Sequence, residues 1–122
     1  MGTLKRVAVV DDDPSLCRSF SRLLRLAGYE PSAFSSAEDF LACGEQRCFA
    51  CVLLDIQLGG MSGIELQRAM RARGDATALI FVTAHDEPAL RAEAIQAGCV
   101  GFFSKNDDGE RILAAVRQAA HD

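Results

Sequence analysis

The chain has 122 residues, a formal net charge of −4 and a hydrophobic content of 49% with three prolines, which together predict one folded domain with its own core. No apolar run reaches the roughly 20 residues of a membrane helix, and no signal-peptide core follows the N-terminus. The acidic balance disfavours direct nucleic-acid binding, because phosphate neutralisation dominates such affinity. We therefore expect one cytoplasmic domain over residues 1–122 that contacts neither membrane nor nucleic acid.

Strand patterns alternate with helix patterns five times along the chain. The predicted strands are 7–10, 29–34, 51–54, 78–83 and 100–104, and the predicted helices are 14–27, 36–43, 63–73, 88–97 and around 112–120. Asp13 is the predicted N-cap of the first helix, and capping boxes pair Ser35 with Glu38 and Ser62 with Glu65. This alternation predicts an α/β fold: a doubly wound five-stranded parallel sheet with five helices, for which we expect the flavodoxin-like strand order 2-1-3-4-5.

Polar residues stand at the carboxyl ends of four predicted strands. Strand 1 ends in Asp11 and Asp12, strand 3 in Asp55, strand 4 in Thr83 and strand 5 in Lys105. In the expected order these four strands are neighbours, so the five side chains converge at the edge where open α/β sheets bind ligands. Asp55 directly follows four apolar residues, and a carboxylate there is costly to bury without a partner.

This constellation points to phosphoryl chemistry. Three carboxylates within a few Å repel one another, which raises at least one pKa unless a cation intervenes, and a few hard oxygen ligands suit Mg2+. Thr83 and Lys105 could then contact a phosphoryl oxygen, with Asp55 as the favoured nucleophile for an aspartyl phosphate. Taken singly, the acids after strand 1 have a plainer explanation as a helix cap, Thr83 as a strand end and Lys105 as a solvated lysine, whereas Asp55 alone is harder to explain in this way. The combination at four strand ends carries the interpretation.

In order and spacing these residues resemble the receiver domain of a bacterial two-component response regulator, of the CheY-like kind. The matching residues are Asp11-Asp12, Asp55, Met61-Ser62-Gly63, Val82-Thr83-Ala84 and Lys105. The amino-acid sequences of segments 33–38 and 60–66 are similar to those of receivers found ahead of FixJ-type transcription factors. The resemblance covers essentially the whole chain, and it implies a phosphorylation-controlled signalling domain rather than an enzyme.

The resemblance implies that Asp55 accepts a phosphoryl group from a histidine kinase or a phosphotransfer protein. The implied Mg2+ ligands are Asp12 directly, Asp11 through water, Asp55 itself, and the backbone carbonyl of Gln57. Gln57 and His85 match positions that flank the attacking water in the family, so the resemblance implies that they set the lifetime of the phosphate.

Further implied roles concern phosphoryl binding and output. Thr83, Lys105 and the backbone N–H of Ala84 would contact the phosphoryl group. Phe102 would be the switch aromatic, which turns inward as Thr83 moves. Output would pass through the 87–121 face to an output domain or protein, and the resemblance allows a phosphorylation-dependent homodimer.

The chain departs from the family pattern at two positions. Asn106 stands where the family has Pro after the conserved Lys, and we predict a trans peptide between Lys105 and Asn106, because a cis bond without Pro costs about 3 kcal/mol. Gly59 stands where the family has Pro four residues after Asp55. We predict a looser loop there, because Gly adds backbone freedom.

A phosphatase of the haloacid dehalogenase kind is the main alternative. Asp11-x-Asp13 after an apolar strand resembles the nucleophile motif of that family, with Thr83 and Lys105 as later motifs. Asp11 would then be the nucleophile instead of Asp55. The chain is short for such an enzyme, and the acidic motif expected well after the lysine is missing.

The five cysteines leave a second alternative open. Cys43, Cys48 and Cys51 follow the C-x4-C-x2-C spacing of plant-type iron–sulfur proteins, with Cys99 further on. The simpler expectation is that Cys51 and Cys99 are small buried residues and that the other two edge a loop, because Cys51 leads directly into the apolar strand. An FMN carrier is disfavoured, because no Gly/Ser/Thr-rich phosphate loop follows the first strand.

Overall fold

The computed structural model describes residues 4–44 and 48–120, which form a five-stranded parallel sheet and five helices. The strands are β1 Arg6–Val10, β2 Glu30–Phe34, β3 Cys51–Leu54, β4 Ala78–Thr83 and β5 Gly101–Ser104. The helices are α1 Pro14–Leu26, α2 Ala37–Ala42, α3 Gly63–Ala72, α4 Pro88–Gln96 and α5 Gly109–Ala120. The sheet order is β2-β1-β3-β4-β5, which confirms the predicted fold. None of these described helices has the length and apolar character to cross a bilayer.

Alternate residues of the central strands bury opposite faces of the sheet. In β3, Val52 and Leu54 join the core beneath α2, α3 and α4, whereas Cys51 and Leu53 join the core beneath α1 and α5. All four side chains are no more than 2% exposed, which explains why this strand is apolar throughout. With both faces covered by helices, the strand ends are where the sheet can present polar groups to a ligand.

Two predicted helix starts are confirmed. Asp13 is the N-cap of α1, and its carboxylate accepts a hydrogen bond from the backbone N–H of Ser15 at 2.9 Å. Ser62 and Glu65 form the predicted capping box at α3, in which each side chain accepts from the other residue's backbone N–H. Side chains thus satisfy backbone donors that have no partner within the helix.

The predicted start of α2 is wrong by one residue. The N-cap is Ser36, whose hydroxyl accepts from the backbone N–H of Asp39 at 3.0 Å. Ser36 has the extended backbone that an N-cap requires, with φ −151° and ψ 158°. Ser35 and Glu38 therefore form no capping box, and the Glu38 carboxylate instead accepts from the backbone N–H of Met61.

Candidate functional site

Backbone pairing between neighbouring strands places the predicted site residues at one edge of the sheet. Asp55 follows β3, and its N–H donates to the carbonyl of Val10 in β1 at 3.1 Å. Lys105 follows β5, and its N–H donates to the carbonyl of Thr83 in β4 at 3.0 Å. The parallel pairing of β1 with β3, and of β4 with β5, thus continues one residue beyond the strands. Asp11, Asp55 and Lys105, which follow β1, β3 and β5, therefore lie at the same edge of the sheet.

Three carboxylates meet there. Asp11, Asp12 and Asp55 each offer an oxygen that lies within 4.8 Å of the others. Asp11 and Asp55 are each only 4% exposed, whereas Asp12 is open to solvent. A cluster of hard oxygen donors with one open side fits a small divalent cation that keeps part of its water shell.

Lys105 lies between the two buried acids. Its Nζ is 2.8 Å from Oδ2 of Asp55 and 3.2 Å from Oδ2 of Asp11. Burial alone would lower the pKa of Lys105, but its hydrogen bonds and charge attraction to Asp55 and Asp11 outweigh burial and raise that pKa. The ammonium therefore stays charged and compensates the carboxylates. The following peptide, to Asn106, is trans as predicted, because no cis peptide occurs in residues 4–44 and 48–120.

The pKa of Asp11 is raised, as repulsion among the acids predicted, but the main cause is different. Burial contributes most, and the charge of Asp55 adds a smaller upward effect. The backbone N–H of Asp13, 2.9 Å from Oδ1 of Asp11, and the ammonium of Lys105 act in the opposite direction. Loss of water around Asp11 thus contributes more than the neighbouring negative charge.

A close backbone approach fixes the chain directly after Asp55. The N–H of Gly63 donates to the carbonyl of Ile56 at 2.8 Å, and a Cβ on Gly63 would lie 2.1 Å from the carbonyl oxygen of Asp55. The Asp55 carboxylate is itself oriented by the N–H of Ile56, which donates to Oδ1 at 2.7 Å. Gly63 belongs to the Met61-Ser62-Gly63 motif on which the resemblance rests, but only the structure shows that the position has no room for a side chain.

The other predicted site residues surround this cluster. Thr83 is fully buried at the end of β4, and its Oγ1 accepts from the N–H of His85 at 3.0 Å. Ala84 and Gln57 are exposed, on the loops that follow β4 and β3. The structure therefore gathers the four charged residues in one cluster and places the uncharged ones at the strand end and on the loops beside it.

Phe102 points into the core in this structure. It is 8% exposed, and its ring centroid is 5.9 Å from that of Phe81. The guanidinium carbon of Arg91, on α4, lies 5.5 Å from the centre of the Phe102 ring. The Phe102 ring of β5 thus packs against a cation of α4, the helix that follows the loop after Thr83.

The cysteines of the iron–sulfur alternative do not lie together at one site. Cys43 packs against the core beneath α2 to α4, whereas Cys51 belongs to the core on the opposite face of the sheet. In the described part of the chain, the acidic cluster is the one group of three or more candidate ligands. A cluster shared by Cys43 and Cys51 is therefore excluded. Cys51 is the small buried residue that its position predicted, whereas Cys99 is only partly buried.

Thiol alkylation should reflect this burial. Burial raises the pKa of Cys51 from 9.0 to about 12, so its thiolate fraction near neutrality falls about a thousandfold. We expect exposed Cys48 to react with iodoacetamide first and Cys51 to react only after unfolding, as followed by peptide mass spectrometry. Urea-unfolded protein, in which every thiol should react, is the control. Equal rates for Cys48 and Cys51 in the folded protein would contradict the burial of β3.

A doubly wound parallel domain with two buried acids, one open acid and an ammonium at its strand ends defines a class of protein. Such a site can hold a divalent cation beside an anionic group, and it provides a carboxylate within reach of both. Regulatory domains that accept a phosphoryl group on an aspartate belong to this class.

Comparison with known proteins identifies the family. Residues 7–117 match the response regulator receiver domain, and the chain belongs to that family. It is 34% identical to response regulator protein TodT of Pseudomonas putida, over 93% of this chain and 50% of that protein. It is 36% identical to transcriptional regulatory protein FixJ of Azorhizobium caulinodans, over 91% and 53%. The solved response regulator StyR is 36% identical with a TM-score of 0.89, over 97% and 60%.

The chain thus spans about half the length of the curated relatives it matches. The family membership confirms the predicted resemblance, including the sequence similarity to FixJ-type proteins. Receiver domains are regulatory parts of two-component systems, and they interact with kinases and output domains. The phosphatase alternative receives no support from these comparisons.

Proposed function

We propose that Asp55 is the phosphoacceptor of a phosphorelay and takes its phosphoryl group from a histidine kinase or a phosphotransfer protein. The observation that carries this proposal is the position of the Asp55 carboxylate, held by the Ile56 N–H and by Lys105 within 4.8 Å of Asp11 and Asp12. A carboxylate oxygen of Asp55 attacks phosphorus, and the bond from phosphorus to the donor's histidine nitrogen breaks. The product is an aspartyl phosphate.

Mg2+ is the cation that this donor set suits. The residues that would hold it are Asp11, Asp12, Asp55 and the carbonyl of Gln57, and its chemistry is to neutralise the acids and the incoming phosphoryl oxygens. Lys105, between Asp55 and Asp11, supplies a further positive charge.

The uncharged residues have supporting roles in this proposal. The hydroxyl of Thr83 and the N–H of Ala84 contact the phosphoryl group, and Gln57 and His85 flank the water that removes it. When Thr83 moves to the phosphoryl group, it releases its hydrogen bond with the His85 N–H, and that loop carries the change towards Phe102. Phosphorylation and hydrolysis at Asp55 are then the chain's only reactions.

The remaining proposals concern the whole protein. FixJ is named a transcriptional regulatory protein, and we infer that this chain likewise regulates transcription through an output domain or protein on the 87–121 face. A phosphorylation-dependent homodimer through that face is part of the same proposal. Residues 1–122 act as one cytoplasmic receiver domain, without direct contact to nucleic acid or membrane.

Asp55→Asn should abolish phosphorylation. Incubated with acetyl phosphate and Mg2+, the unchanged protein should gain one acid-labile phosphoryl group by intact mass, and the variant should gain none, because an amide is not a nucleophile for phosphorus. Chelation of Mg2+ should prevent labelling of the unchanged protein.

Asp75→Asn is the matched control, because Asp75 is also a buried acid but lies outside the site, where its carboxylate accepts a hydrogen bond from the backbone N–H of Thr77. This variant should be labelled normally. A labelled Asp55→Asn protein would refute the assignment, and repeated turnover of a phosphate ester that requires Asp11 would favour a phosphatase.

A further inference from the structure

Glu38 reaches from α2 to the loop that follows Asp55. Its Oε2 accepts a hydrogen bond from the N–H of Met61 at 2.8 Å, and this bond lowers the pKa of Glu38, so the side chain is charged. The same oxygen lies over Gly60, where an added Cβ would be 2.6 Å from it. The φ of Gly60 is not positive, so the position needs the small size of glycine rather than its backbone freedom.

The other side of this loop faces the acidic cluster. A Cβ on Gly59 would lie 3.9 Å from Oδ2 of Asp12, and Gly59 has a positive φ of 76°. The loop also contains Gln57, whose carbonyl is a proposed Mg2+ ligand. Two consecutive glycines, Gly59 and Gly60, leave the backbone of this loop intrinsically free. Within the loop, the N–H of Gly60 donates to the carbonyl of Leu58 at 2.9 Å, and the bond from the Met61 N–H to Glu38 ties the loop to a separate element, α2.

We propose that Glu38 is a positioning residue for the cation site, which anchors the 57–61 loop beside Asp12. The contact joins the loop to α2, whose residues Ala37 and Phe40 are fully buried in the core. A rigid helix thus holds the loop through one charge-assisted hydrogen bond. The inference rests on the proposed binding of Mg2+ by this loop.

Two measurements on Glu38→Ala test the anchor. Amide hydrogen exchange of segment 57–63 should become about fivefold faster, because the Met61 N–H loses its acceptor and the loop opens more often. In an NMR-monitored titration of the unphosphorylated protein, half-saturation by Mg2+ should need about fivefold more metal, because the loop must be ordered on binding. The phosphorylation rate at saturating Mg2+ should stay within about twofold.

Two further variants separate positioning from charge. Asp39→Ala removes an acid from the same turn of α2, but the Asp39 side chain does not reach the loop, so both measurements should match the unchanged protein. Glu38→Gln keeps a carbonyl acceptor for Met61 and should give intermediate values. A purely structural role of the α2 terminus would move Asp39→Ala and Glu38→Ala alike.

Gly60→Ala completes a double-mutant cycle with Glu38→Ala. The new methyl group displaces the Glu38 carboxylate, so Gly60→Ala as a single variant should weaken Mg2+ binding, as Glu38→Ala does. In the Glu38→Ala background it should add no further change, because the carboxylate is already gone. Additive effects would show that Gly60 acts on the loop without Glu38 and would count against the anchor.

The proposal is overturned if Glu38→Ala matches Asp39→Ala in loop exchange and in Mg2+ half-saturation, or if the unchanged protein binds no Mg2+. Failure of the phosphoacceptor proposal has a different signature. In that case Asp55 gains no phosphoryl group, while Mg2+ still binds and the Glu38 variants still differ as stated.

Discussion

Lys105→Met is expected to lower the free energy of unfolding by about 3 kcal/mol near neutral pH without divalent cation, because two buried carboxylates lose the ammonium between them. The loss has an upper bound, since the variant can protonate one acid instead of leaving both charged. That protonation costs about 1.4 kcal/mol for each pH unit above the ordinary carboxyl pKa, or about 4 kcal/mol at pH 7.

The effect of Lys105→Met should depend on pH and on Mg2+. Without the ammonium, the folded-state pKa of Asp11, which burial already raises, moves further above its unfolded value. The folded variant then binds more protons than the unfolded chain, so its deficit shrinks as pH falls from 7 towards 5. Mg2+ should stabilise the variant more than the unchanged protein, because the cation restores the missing charge and no longer competes with Lys105.

Urea unfolding with and without Mg2+, at both pH values, measures these changes. Arg111→Met is the control, because Arg111 forms an ion pair with Asp107 in which its own side chain is 67% exposed. Removing that exposed cation should change stability by less than about 1 kcal/mol and should leave the Mg2+ response unaltered. A Lys105→Met protein as stable as the control, with no added Mg2+ response, would mean that Lys105 does not compensate the buried acids.

The convergence of the charged residues could be predicted from the sequence, because it depends on topology alone. Parallel strands present their carboxyl ends at one edge, so Asp11, Asp55 and Lys105 had to meet once the strand order was right. The pattern also located the buried strands, since Cys51–Leu54 is apolar at every position. Neither inference needed any knowledge of side-chain contacts.

The role of Glu38 could not be predicted, because it depends on a contact between residues 23 positions apart in the chain. The sequence predicted Ser35 as the N-cap of α2, whereas the extended backbone of Ser36 and its hydrogen bond from the Asp39 N–H put the cap one residue later. The main cause of the raised pKa of Asp11 could not be predicted from the sequence for a related reason. The sequence shows which charges are near, whereas burial depends on the assembled fold.

Gly63→Ala is expected to lower the free energy of unfolding by about 3 kcal/mol and to impair phosphorylation of Asp55. An added Cβ would lie 2.1 Å from the carbonyl oxygen of Asp55 and 3.0 Å from its carbonyl carbon, so backbone rather than a flexible side chain must shift. That shift also strains the hydrogen bond from the Gly63 N–H to the carbonyl of Ile56. The gain of about 1 kcal/mol from replacing Gly by Ala in a helix is too small to offset these losses.

Gly109→Ala is the matched control, because Gly109 is likewise the first residue of a helix and an added Cβ would meet only the Leu23 side chain, at 3.2 Å. Its free energy of unfolding should change by less than about 1 kcal/mol, with normal phosphorylation by acetyl phosphate. Gly63→Ala should instead combine the lower midpoint with slower labelling at saturating Mg2+, because the Asp55 backbone itself has moved. If the two variants were equally stable and equally labelled, the close packing of α3 against the end of β3 would not be what positions Asp55.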